Sequence, residues 1–173
     1  KAAEWRDEVK VIRFGMGGSG EKIAEQVVRW KPLTEYIERT LGVKATIRNT
    51  TDYAAIIEAQ AAGHIDVGYY GPAGYASAYQ VMEGNLDPCC MEMSKKGYAG
   101  YYGIIAVKAD SPYQTLDDLK GKVFAYTDPN STSGYLVPNH YLREMGKNPD
   151  KYFSKTLFAG GSDAGILAVL QGT

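Results

Sequence analysis

Asp128-Pro129-Asn130-Ser131-Thr132-Ser133-Gly134 lies between a strand-like run, Lys122 to Tyr126, and a helix-like run, Tyr135 to Met145. A strand that passes through a short polar loop into a helix is the repeating step of an α/β fold. Three consecutive hydroxyls stand at the mouth of this helix. The first backbone N–H groups of a helix have no internal partner, and the helix dipole places about half a positive charge there. Hydroxyls and unpaired N–H groups together can hold an oxyanion without any lysine. Ser, Thr and Asp are also ordinary helix caps, worth about 1 kcal/mol each. Both readings are open on local chemistry, although three hydroxyls followed by Gly exceed what one cap requires.

The same strand–helix step recurs on both sides of the loop. Val9 to Met16 reads as a strand, and Gly15 to Gly20 as a glycine-rich turn. Lys22 to Leu41 reads as a long helix, with Ile23, Val27, Val28, Leu33, Tyr36 and Ile37 near helical spacing and Pro32 as a kink or fresh first turn. Val43 to Arg48 is a second strand. Asp52 can cap a helix running to about Ala62, with Ala54, Ile57 and Ala61 inward. Ile65 to Tyr70 is apolar enough for a strand buried on both faces. Pro72 to Glu83 is the next helix, with Pro near its first position.

Beyond it, Leu86 to Ser94 is an expected edge strand and Tyr98 to Lys108 a long one. Thr115 to Lys122 reads as a short helix leading into the strand Val123 to Tyr126. Lys155 to Phe158 is one further strand, and Asp163 to Gln171 one further helix. The alternation predicts α/β with a largely parallel sheet. The best boundary lies at Ala109-Asp110-Ser111-Pro112, giving a first α/β lobe over 1–109 and a partial second lobe over 110–173. Gln171-Gly172-Thr173 ends a helix with no following strand, so the chain is expected to continue. Lys1 is not Met, and a processed or trimmed start is expected.

Composition narrows the function. A net charge of −1 with no basic block gives no field that favours nucleic acid or an acidic membrane. No apolar run reaches the length of a membrane span. Fourteen tyrosines offer apolar walls with polar tips, which suits a cleft around a small ligand. Tyr53, Tyr69, Tyr70, Tyr98, Tyr101 and Tyr102 fall at element ends, where open α/β sheets bind their ligands. His64, Cys89, Cys90 and His140 lack metal-ligand spacing, so no metal is expected. The adjacent cysteines read as small buried residues on a strand.

Two chemistries are weighed and set lower. Gly15-Met16-Gly17-Gly18-Ser19-Gly20 fits G-x-G-x-x-G after a strand and before a helix. A dinucleotide site also wants an acidic residue closing the second strand, and that strand ends Arg48-Asn49-Thr50-Thr51. A glycine turn offering N–H groups to a smaller ligand fits better. No G-x-S-x-G elbow and no evident base accompany Ser131 or Ser133, so no catalytic residues and no cofactor are expected.

Asp128 to Pro138 resembles the anion loop of the phosphonate/phosphite-type periplasmic binding proteins of ABC transporters. Pro32-Leu33-Thr34-Glu35-Tyr36 to Leu41-Gly42-Val43, Asp52 to Ala59, Ile65 to Pro72, Gly100-Tyr101-Tyr102 and Asp117 to Lys122 resemble further segments of that family. The resemblance implies a two-lobe periplasmic-binding-protein (type II) fold whose second lobe is incomplete in this chain. It implies an extracytoplasmic receptor, free or lipid-anchored, that captures a small phosphorus oxyanion (phosphonate, phosphite or phosphate) for a membrane permease. Carried over by position, Ser131, Thr132 and Ser133 bind the phosphoryl oxygens. Tyr53 and Tyr101 bind or wall the ligand from the first lobe, and Gly17 and Gly18 approach it through backbone. The pattern departs at Gly161, where many relatives carry a histidine. Alternative readings are a dinucleotide-binding oxidoreductase built on Gly15 to Gly20 and a sensor or enzyme domain that reuses the two-lobe fold.

Overall fold

In a computed structural model, residues 4–17, 23–50 and 52–172 are described. They divide into two units, Lys1–Tyr70 and Gly71–Thr173, taken in turn.

The first unit runs α1 (Glu4–Glu8), β1 (Val11–Gly17), α2 (Ile23–Leu41), β2 (Lys44–Thr50), α3 (Tyr53–Ala61) and β3 (Val67–Gly68). β1 is central. It pairs in parallel with β2, from Val11 opposite Lys44 to Gly17 opposite Thr50, and with β3, where Phe14 meets Val67. The order β2-β1-β3 reverses direction at β1, so the C-terminal ends of β1 and β3 form a switch point of the sheet. Phe14, Met16 and Ala45 form the core, with Trp30, Leu33 and Ile37 of α2 packed on it.

The inward stripe of α2 differs from the sequence expectation. Gln26, Trp30, Leu33 and Ile37 face the sheet, whereas Val27, Val28 and Tyr36 are exposed. Spacings of four, three and four place the first set on one helix face, and adjacent Val27 and Val28 fall outside it. Pro32 lies within the uninterrupted helix. On α3, Ile56 and Ile57 are the buried pair, and Ala54 and Ala61 are exposed. Burying Ile56, at 1% exposure, contributes roughly 1.5–3 kcal/mol.

β3 is shorter than expected and is reinforced by an ion pair. Arg13 donates from Nε to Asp66 Oδ2 at 2.8 Å and from its backbone N at 2.7 Å, and Nη2 reaches Asp66 Oδ1 at 2.6 Å. Tyr70 donates to Gln60 Oε1 at 2.7 Å, and burial pushes its phenol up to about 12.

The second unit begins with α4 (Pro72–Val81), entered from Gly71 with Pro72 in its first turn. A 3-10 turn over Leu116–Leu119 is closed by a Thr115–Asp118 capping box. Then come β4 (Val123–Tyr126), a π-helical turn (Thr132–Leu136), α5 (Val137–Glu144), α6 (Pro149–Tyr152), β5 (Lys155–Phe158) and α7 (Ser162–Gln171). β4 and β5 pair in parallel from Val123 opposite Lys155 to Tyr126 opposite Phe158. Aromatic rings fill the core. Phe124 stacks on Phe153 at 4.4 Å, and Tyr135 meets Tyr126 and Phe158 edge-on at 5.0 and 4.9 Å.

Two expected strands, Leu86 to Ser94 and Tyr98 to Lys108, are absent. A strand exists only with a ladder partner, and here the main-chain bonds close turns instead. Gly97 N donates to Ser94 O at 2.8 Å, Ser94 N to Tyr98 O at 3.0 Å, and Ser111 N to Lys108 O at 3.0 Å. Cys89 and Cys90, expected to be buried on a strand, are exposed on this stretch. His140 is a surface residue of α5 beside Glu144.

Candidate functional site

The polar loop after β4 is held by its own first residues. Buried Asp128 accepts from Asn130 N at 2.7 Å, and its carbonyl accepts from Ser131 N at 2.9 Å. Ser131 Oγ accepts from Gly134 N at 3.1 Å, and Ser131 O accepts from Leu136 N at 3.0 Å. That last bond spans five residues, which makes the first turn a wide π turn rather than an α turn. The helix therefore opens at Thr132, three residues earlier than the sequence pattern placed it. Gly134 is required by close approach, since a Cβ there would overlap the Thr127 side chain. Thr127 N donates to Gly134 O at 3.1 Å, which ties the turn back to the end of β4.

A second helix N-terminus meets this turn. Ala73 N, in the first turn of α4, donates to Thr132 Oγ1 at 2.9 Å. Ser77 of α4 donates to Asn130 Oδ1 at 2.9 Å. A cleft of about 220 Å3 opens beside the junction, lined by Pro72, Tyr101, Gly103, Thr132, Ser133 and Val137 among others. This is below the size of a drug-ligand pocket and suits a small solute. A Cβ at Gly71 would lie 3.2 Å from Tyr101 Oη and 3.3 Å from Thr132 Oγ1, so both hydroxyls border Gly71 at the entry to α4.

The electrostatics follow from these bonds. None of the lining residues is charged. Two helix N-termini each contribute about half a positive charge. Ser131 and Thr132 spend a lone pair on a backbone N–H, so each hydroxyl proton is left to donate elsewhere. Accepting a bond also polarises that proton. The arrangement is a neutral cluster of donors, which is chemistry that can hold an oxyanion.

The expected site residues are distributed unequally. Thr132, Ser133 and Tyr101 line this cleft, and Ser131 is buried as the cap of the turn. Tyr53 is the first residue of α3, and Gly17 ends β1, both in the unit Lys1–Tyr70. Gly18 lies outside the described residues. A Cβ at Gly15 would press on Ile65, and one at Gly17 on Ile56 and Thr50. Packing under α3 thus accounts for two glycines of the nucleotide-like motif. Tyr69 packs on Trp30 at 5.6 Å while staying exposed, and half-buried Tyr70 bonds Gln60, so both make contacts within the first unit. The α4 N-terminus, Gly103 and the Asp128–Asn130–Ser77 chain were not anticipated. Pro72 marked a helix start, but its meeting with Thr132 is a contact between residues 59 apart in sequence.

The sequence profile of the family described as ABC transporter, phosphonate, periplasmic substrate-binding protein matches residues 21–173. A phosphonates-binding periplasmic protein of Escherichia coli is 31% identical over 91% of this chain and 47% of its own length. A phosphate-import protein of Mycolicibacterium smegmatis is 31% identical over 88% of this chain and 50% of its own. The chain therefore spans about half the length of these curated relatives. A Pseudomonas aeruginosa binding-protein component of an ABC phosphonate transporter superposes with a TM-score of 0.80 at 27% identity, over 95% of this chain and 55% of that one. A methylphosphonate-bound protein of Prochlorococcus marinus shares the fold, with a TM-score of 0.71 at 21% identity over 94% of this chain and 61% of that one.

Proposed function

The chain belongs to the periplasmic substrate-binding proteins of phosphonate ABC transporters, and from that premise we propose that it receives a small phosphorus oxyanion. The class embraces phosphonate, phosphite and phosphate, since one relative's name specifies phosphonates and another's phosphate import. The observation that carries the reading is the uncharged cleft where two helix N-termini meet beside Thr132 and Ser133. Ser131, Thr132 and Ser133 are the proposed ligands of the phosphoryl oxygens, Tyr101 a wall, and Tyr53, Gly17 and Gly18 contributors from the first unit. The protein catalyses nothing and needs no cofactor. It works outside the cytoplasm, free or lipid-anchored, and delivers its ligand to a membrane permease. No helix among the described residues is long and apolar enough to cross a membrane itself.

The lobe boundary is proposed at Ala109–Pro112. On that division α4 and Tyr101 belong to the first lobe and the hydroxyl loop to the second. The Ala73–Thr132 bond is then a contact of the closed receptor, and ligand between the lobes would favour that state. Hydrogen bonds to a charged acceptor contribute roughly 1.5–3 kcal/mol each. About four of them, less at least about 4 kcal/mol for association, allow affinity up to about micromolar.

Calorimetric titration of the complete protein with phosphite, methylphosphonate, aminoethylphosphonate, phosphate and sulfate tests the reading. Binding of at least one phosphorus oxyanion in preference to sulfate is expected. Heats no different from buffer for every phosphorus compound would overturn it.

A further inference from the structure

Ser77 stands in the interior of α4, where a serine hydroxyl ordinarily turns back to the carbonyl four residues earlier. Here it reaches out of the helix and donates to Asn130 Oδ1 at 2.9 Å, across 53 residues of sequence. Asn130 is available because a neighbour does its local work. A loop asparagine commonly folds its side chain onto nearby main chain. In this loop Asp128 Oδ1 takes that part by accepting from Asn130 N at 2.7 Å, and the Asn130 amide meets α4 instead.

The bond is one of two on a single face of α4. Ala73 and Ser77 are four residues apart, so they share a face and lie about 6 Å apart along the axis. Ala73 N meets Thr132 Oγ1, and Ser77 Oγ meets Asn130 Oδ1. The side chains around them are small, and Ala73, Gly74 and Ala78 are buried. A single bond would leave α4 free to pivot on the loop, whereas two bonds one turn apart fix its angle. The two differ in what else they touch. Thr132 lines the anion cleft, and neither Ser77 nor Asn130 does.

We propose that Ser77 and Asn130 are positioning residues for anion binding, a latch that holds the α4 N-terminus on the hydroxyl turn without touching the ligand. The inference rests on the receptor reading and on the lobe division at 109–112, which assigns α4 and the loop to different lobes. The latch is then made in the closed receptor and broken in the open one. It favours closure by the same factor whatever anion is bound, because it contacts none of them. A neutral hydrogen bond changes such an equilibrium roughly 2–10-fold. Apparent affinity falls with the population of the binding-competent state.

The test is calorimetric and stopped-flow titration of the complete protein with phosphite, methylphosphonate and phosphate. Ser77→Ala is expected to weaken every anion that the wild type binds by one common factor of roughly 2–10. The loss should be carried by faster dissociation with association unchanged, since the latch forms after encounter. Ser77→Thr keeps the hydroxyl and should restore wild-type affinity. Asn130→Ala keeps its main-chain bond to Asp128 and should show the same loss as Ser77→Ala, and the double variant should be no weaker than either single one. Unchanged affinity in both single variants, losses that differ from one anion to another, or additive losses in the double variant would overturn the latch. A wild type that binds no phosphorus oxyanion would overturn the receptor reading itself, and the latch with it.

Discussion

Thr132→Val separates the two tasks of one hydroxyl. Thr132 Oγ1 accepts from Ala73 N at 2.9 Å, and its proton is the group proposed to meet a ligand. Valine keeps the branched shape and removes both. Loss of one hydrogen bond to a charged acceptor costs about 1.5–3 kcal/mol, or roughly 10–150-fold in affinity. The lower end is expected, because Ala73 N–H is released and can itself donate to the anion. The cap loss reads separately. Removing a capping oxygen costs about 1 kcal/mol, which lowers the melting temperature of a domain this size by roughly 2–4 °C. Thr132→Ser retains the hydroxyl and should leave both quantities near wild type. The assay pairs calorimetry with phosphite or methylphosphonate and a ligand-free thermal melt. A valine variant that melts lower yet binds within twofold of wild type would refute the argument, because the hydroxyl would then be a cap and nothing more.

Ser133→Ala should weaken the same titration about tenfold while leaving the melt unchanged, since Ser133 lines the cleft and is not the cap of its turn; equal affinity would remove it from the site. Gly134→Ala would drive a methyl group into Thr127 and displace the turn, so both the melting temperature and anion binding should fall, and a variant that binds normally would show the turn to be pliable. The pairing with Arg13, chiefly its side-chain hydrogen bond, holds the Asp66 carboxyl below its usual range. A depressed folded-state value contributes stability that is complete above the unfolded carboxylate range, near 3.9, and is lost as pH falls through the folded value. Thermal melts should therefore be flat in this contribution from about pH 7 to 5 and decline below about 4; Asp66→Asn should melt lower at neutral pH and lose part of the acid dependence, and an unchanged pH profile would remove the pair from the account.

Most of the fold was legible because its signals are local. Asp52 caps α3 with a 2.8 Å bond to Ala55 N, as its position before an apolar run predicts. β4 and β5 were read over their observed spans, since short apolar runs bounded by turn residues carry their own punctuation. Errors arose where a partner decides. Tyr98 to Lys108 has strand composition, but composition supplies no ladder, and Ile104 remains 84% exposed. α2 was placed correctly and its face read only in part: Leu33 and Ile37 pack on the core, but Val27 and Val28 were counted where Gln26 is buried.

The hydroxyl loop shows why local chemistry left two readings open. Capping and anion binding were set against each other as rival uses of Ser131 to Ser133. They would draw on different atoms. A cap consumes a lone pair, and an oxyanion consumes a proton, so one hydroxyl can do both. Ser131 caps its own turn through Gly134 N, and Thr132 caps another helix through Ala73 N. Each acceptance leaves the O–H as the only donor and strengthens it. Ser133, free of either cap, completes the run on the cleft side. Three hydroxyls in series then have separate uses: Ser131 locks its own turn, Thr132 locks that turn to α4, Ser133 lines the cleft, and their protons are the proposed donors to a ligand. The second lock could not be found from the loop alone, because its donor lies 59 residues away on a helix whose only sequence mark was a proline.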